Sequence, residues 1–172
     1  MLRHTIVAVT LTCAGQAHGQ ASGDPVTPFG SDDPTMNAAI AAAQKSLPLF
    51  LCQAVDDEGY GPGGGLLKVK IPVDHPEMTH EIIWVNPFAA WDGAEFAGLL
   101  ANQPHALPGL NLGDQIGFDY DMIVDWAWYH PSGAQYGNYT TRVILEQQGD
   151  AASLDQLNDL AKPPFEADWT CS

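Results

Sequence analysis

Residues 110–145 read LNLGDQIGFDYDMIVDWAWYHPSGAQYGNYTTRVIL, and this stretch decides the fold class. Gly113-Asp114 turns the chain into an extended run, Gln115 to Tyr120. Asp121 to Asp125 has the length of one helical turn, and Trp126 to Tyr129 is again extended. His130 to Gly137 is rich in turn residues. Asn138 to Glu146 then places Tyr139, Thr141, Val143 and Leu145 at period two, which predicts a further strand.

The same period governs the segment upstream. Leu67, Val69, Ile71 and Val73 alternate with Lys68, Lys70 and Pro72, a half-buried strand. His80 to Val85 reads as a second strand, broken by Asn86-Pro87, and Glu95 to Ala101 as a third. Asp56 to Gly65 is a loop by composition. Near the start the period is helical instead: Met36, Ile40, Ala43 and Leu47 share one face. Asp33 is placed to cap that helix, Pro34 suits its first position, and Pro48 is expected to kink or restart it. Ser153 to Ala161 predicts a short C-terminal helix. Strands joined by short turns, with helices kept to the ends, give an α+β domain. Its expected form is an antiparallel sheet of about five strands, with the N-terminal helix on one face.

The N-terminus has the order of a secretory signal: basic Met1 to His4, a short apolar run to Ala14, then Ala17 and Gly19 before Gln20. The expected organisation is a signal over residues 1–19, a polar lead-in over 20–30, the domain over 31–146 and an extension over 147–172. A periplasmic or secreted location follows from that signal. After its removal five basic residues face 21 acidic ones, so phosphate backbones are repelled and nucleic acid is not expected as a partner. Cys52 and Cys171 remain, an even number in an oxidising compartment, and are expected to form a disulfide.

No spacing among His75, His80, His105 and His130 matches a metal signature, so neither metal nor cofactor is expected. Gly61 to Gly65 lacks the Lys-Ser/Thr of a phosphate loop. Two groups invite a functional reading. Trp126 and Trp128 share one face of an extended segment, and with Tyr139 they would make an aromatic wall for a ligand; core packing is the competing reading. Asp125 and Arg142 are expected to pair directly and structurally, because a guanidinium fork matches a carboxylate.

The run from Asp32 to Ala43 (DDPTMNAAIAAA), then Leu47-Pro48, Leu112-Gly113-Asp114, Ile123-x-Asp125-Trp126 and Gly137-x-Tyr139-Thr140-x-Arg142-Val143 together resemble the bacterial DUF2314 family. The resemblance spans roughly residues 32–145. Asn138 stands where the family pattern carries a second glycine, and Trp128 where it carries a tyrosine. The family has no established activity, so the resemblance supplies no catalytic residue. The functional expectation is a secreted, non-enzymatic module that binds a protein or peptide of the cell envelope. The rival expectations are a hydrolase built on Asp125, His130 and Thr140, and a structural domain without ligand.

Overall fold

The computed structural model describes residues 33–91, 94–161, 169 and 171. Helix α1 (Pro34–Ala54) is followed by strands β1 (Gly65–His75), β2 (Met78–Ala90), β3 (Glu95–Leu100) and β4 (Gln115–Asp119). A 3₁₀ turn (Tyr120–Met122) leads into β5 (Ile123–Tyr129) and β6 (Gln135–Gly137), then α2 (Tyr139–Gln148) and α3 (Ala151–Asp159). The strands form one antiparallel sheet in the order β4-β3-β2-β1-β5-β6. The class is α+β, with six strands where the sequence suggested about five. The extra strand is the three-residue β6, too short to carry a periodic signal.

Alternation sorts the two faces of the sheet. Leu67 and Val69 of β1, Val85 and Phe88 of β2, Phe96, Phe118, Ile123 and Trp126 point to one side, where Ala43, Leu47 and Phe50 of α1 meet them. Phe50 stacks flat on Trp126, with ring centroids 4.5 Å apart. The indole N–H donates to the Ala43 carbonyl (3.2 Å) and the Ser46 hydroxyl (3.0 Å), so the largest core side chain is also polar-satisfied. At the start of α1 the Asp33 carboxylate accepts from the backbone N–H groups of Thr35 and Met36. The helix runs unbroken through Pro48. Leu47 and Phe50, one on each side of it, are both buried in the core, and that packing holds the two halves in line. Strand β2 likewise continues through Asn86-Pro87, whose peptide bond is cis, with the ladder register shifting between Val85 and Phe88.

The expected strand over 138–146 is a helix. Its side chains do alternate, and β-branched residues are frequent, but the chain ends dictate the outcome. Gly137 and Asn138 both adopt left-handed backbone (φ 74° and 59°), which turns the chain sharply out of β6. A Cβ at Gly137 would collide with the Trp126 carbonyl oxygen and ring. Asparagine is among the few residues that tolerate the left-handed region it takes at position 138. The first N–H groups of α2 then meet a carboxylate from β5, described below, and Gly149 ends the helix in left-handed backbone. Among the described residues no helix is long and apolar enough to cross a membrane.

Candidate binding groove

The face of the sheet turned away from α1 carries Leu66, Lys68 and Lys70 of β1. Lys68 lies opposite Trp84 on β2 and opposite Asp125 on β5, so three side chains form one row across the sheet. Lys68 is only 8% exposed. Its ammonium lies 4.5 Å from the centre of the Trp84 ring and donates to the Thr140 hydroxyl at 3.1 Å. That hydroxyl in turn donates to Asp125 Oδ2 at 2.6 Å. The same oxygen accepts from the Thr140 backbone N–H at 2.8 Å, while Oδ1 accepts from the N–H groups of Trp126 (2.8 Å) and Tyr139 (3.2 Å).

Asp125 is therefore the cap of α2, supplied from a strand fourteen residues upstream of Tyr139. The helix's own N-cap residue, Asn138, makes no side-chain cap bond. Burial pushes the Asp125 carboxyl up, while the Lys68 charge, the Thr140 hydroxyl and the backbone donors of Thr140 and Trp126 pull it down. Four donors converge on two oxygens of a side chain 1% exposed, so no face of this carboxylate is open to a substrate.

The direct Asp125–Arg142 pair expected from sequence is not formed. Arg142 Nε donates to the Gly137 carbonyl (3.2 Å) and its terminal nitrogen to the Ala161 carbonyl. It fastens the turn before α2 to the chain leaving α3. Burial lowers its pKa, and Asp125, Tyr139 and Glu146 oppose that, so Asp125 is felt as a field rather than as a hydrogen-bond partner. The expected geometry rested on a strand at 138–146; a helix there points Arg142 elsewhere.

The aromatic wall is also rearranged. Trp126 is 1% exposed and belongs to the core. Tyr139 packs edge-on against it (centroids 6.0 Å) and meets Ser46, with burial raising its pKa. Trp128 sits on the α1 side among Phe50, Tyr136, Trp169 and His130. His130 packs on Trp128 and Tyr136, its Nδ1 2.6 Å from the Ser132 hydroxyl. Strand alternation puts it on the opposite side from Asp125, so Asp125, His130 and Thr140 do not converge. Among the described residues no three His, Cys, Asp or Glu side chains gather as metal ligands. Cys52 and Cys171 are joined in a disulfide, Cα atoms 5.7 Å apart.

Above the Lys68 row lies a groove of about 270 Å³. Its floor is Leu66, Trp84 and Ala127 of the sheet. Asn138 and Thr141 at the start of α2 form one wall, and Gln156 and Leu160 of α3 and its exit another. Asn102, Gln135 and Tyr129 complete the rim, with the Tyr129 ring 51% exposed. The Asn102 Oδ1 accepts from the Trp84 backbone N–H at 2.9 Å. Leu160 bridges to Gln135 beside β6, and the Ala161 N–H donates to the Gln135 carbonyl (2.9 Å), which anchors the end of α3. Of these residues the aromatics Trp84 and Tyr129 stand out in the sequence, Trp84 as a ring that could add to the aromatic wall and Tyr129 as the one facing away from Trp126 and Trp128. The polar, alternating positions of β1 foretold a second face, but not that α2 and α3 would wall it.

The comparisons with known proteins bear on identity. No curated protein and no solved structure matches the chain. A family model described as an uncharacterized protein conserved in bacteria matches residues 33–158, from the cap of α1 through most of α3. That span takes in α1, α2, every strand and all but the end of α3, well over half of the chain, and the chain therefore belongs to the DUF2314 family.

Proposed function

We propose that the protein is a non-enzymatic module, exported to the cell envelope, that binds a protein or peptide segment in the groove above Lys68. The observation that carries this reading is the contrast between the groove and the row beneath it. The groove is concave, mixed apolar and polar, and built from strands β1, β2, β5 and β6, the segment after β3, and helices α2 and α3. The acid and base below it are consumed by internal hydrogen bonds. Among the described residues that line the groove there is no carboxylate, imidazole or thiol, which favours holding over turnover. The signal-like N-terminus and the disulfide support export.

Two experiments test the reading. Amide chemical-shift mapping with a library of capped peptides should move resonances of Leu66, Ala127, Asn138 and Gln156 together. Shifts confined to other surfaces, or none with any peptide, would remove it. Intact-mass measurement of the exported protein should give a chain starting near Gln20 or Ser22; retention of Met1 to Ala14 would remove the export.

A further inference from the structure

Resting on that reading, we infer that the groove selects an uncharged, extended stretch of polypeptide and reads it through its peptide bonds. The chain carries a net charge of −15, yet among the described residues no carboxylate lines the groove. Asp125, in the row with Lys68, is matched by Lys68 and Thr140. A basic segment would therefore meet no counter-charge inside the groove. An acidic one would be repelled by the surrounding field on approach and would find the lysine already engaged. Uncharged groups meet neither obstacle.

What the rim offers instead is carboxamide. Asn102, Gln135, Asn138 and Gln156 stand around one cleft, and each amide carries both a donor and an acceptor. Asn102 spends its oxygen on the Trp84 backbone and keeps its NH₂; Asn138 turns its NH₂ toward the Tyr136 carbonyl at 3.4 Å and keeps its oxygen. An extended chain presents N–H and C=O groups alternately, and this mixed set can meet both. The aliphatic side chains of Leu66 and Ala127 in the floor and Leu160 in the wall suit small apolar side chains at every second position. A neutral sugar would also use amides, but it needs the open face of a ring. Lys68 occupies one face of Trp84, which weighs against a sugar.

The test uses the full mature chain and three capped tetrapeptides, Ac-Ala-Leu-Ser-Gly-NH₂ and its variants with Glu or Lys in place of Ser. A neutral chitooligosaccharide is titrated beside them, all by amide shift mapping. The uncharged peptide should bind in the groove, with an affinity that changes less than about twofold between about 20 and 300 mM NaCl. Gln135→Ala combined with Gln156→Ala should weaken it at least about tenfold. If that variant unfolds, Tyr129→Ala, at an exposed ring, serves instead and should weaken binding too.

Tighter, salt-sensitive binding of the Glu or Lys peptide overturns the inference and leaves the peptide-binding reading standing. Groove shifts with the oligosaccharide alone overturn both. Binding that survives the glutamine substitutions shows that the carboxamides do not read the ligand, and also overturns the inference. Silence with every peptide removes the reading on which it rests.

Discussion

Asp125→Ala should be the most destabilising single change on the groove side of the sheet. The substitution removes the acceptor for the Tyr139 and Thr140 N–H groups that open α2, and leaves the Lys68 ammonium buried. Stranding one member of a buried ionic pair costs about 3–5 kcal/mol. Leaving two buried N–H donors unmet would cost about 1–3 kcal/mol each, an overlapping estimate of the same loss rather than an addition to it. Domains of this size hold about 5–15 kcal/mol in total, so the variant should unfold at markedly lower urea. Asp125→Asn should rescue little, since its NH₂ must face at least one N–H donor whichever way the amide is turned. Lys68→Met alone should also destabilise, because it strips Asp125 of its cation. The double variant Asp125→Ala/Lys68→Met should lose less than the sum of the singles, by about 1 kcal/mol or more, because no charge is then stranded. Urea titration followed by tryptophan fluorescence measures all four. An Asp125→Ala loss under about 1 kcal/mol, or a strictly additive double, would refute the reasoning.

Two further outcomes follow from other parts of the chain. Cys52→Ser opens a link spanning 119 residues; in the chain-entropy account such a link stabilises by about 4–5 kcal/mol, so the variant's thermal midpoint should fall and should no longer respond to reductant. Asp33 and Asp150 cap α1 and α3, and the N–H groups of Met36 and Ser153 respectively hold their carboxyls below the ordinary aspartate value. A depressed pKa means that the folded state binds fewer protons than the unfolded one. The caps' contribution is thus complete above the ordinary value and fades as pH falls below about 4. The gap in thermal midpoint between the wild-type chain and Asp33→Ala/Asp150→Ala should accordingly be widest near neutrality and close in acid.

Much of this architecture was legible because it is local. Asp33-Pro34 marks a helix start, and the Leu67/Val69 alternation marks a half-buried strand, whatever lies elsewhere in the chain. The misread segment, 138–146, has a strand's composition and a helix's boundary conditions. Thr140, Val143 and Ile144 favour extension, but Gly137, Asn138 and the Asp125 carboxylate set the first turn, and tertiary capping overrides propensity. That one error moved Arg142 and misplaced the expected ion pair. The aromatic cluster was recognised as large rings on one face, but which face lies under α1 is a property of the packing. The groove was illegible for the same reason. Trp84, Asn102, Gln135 and Gln156 lie on four different segments, with no spacing to link them before the sheet and α3 bring them together.

Because Asp125 caps α2, and α2 begins at the wall of the groove, stability and binding are joined through Thr140. Thr140→Val keeps the shape of the side chain and removes only the hydroxyl. It takes one donor from Asp125 and the hydroxyl acceptor from the Lys68 ammonium, while leaving the Thr140 backbone N–H on the carboxylate. Each of these two hydrogen bonds to a charged group contributes about 1.5–3 kcal/mol, but Asp125 keeps three backbone donors and Lys68 keeps the face of Trp84, so the variant should remain folded at room temperature with a lowered midpoint. If the row beneath the floor is structural, peptide affinity measured well below that midpoint should stay within about twofold of the wild-type value, because Asn138, Thr141 and Gln156 keep their places. A functional row would give the opposite pattern: an unchanged midpoint with binding lost. That result would move Asp125, Lys68 and Thr140 from the scaffold into the site and overturn the assignment of roles made here.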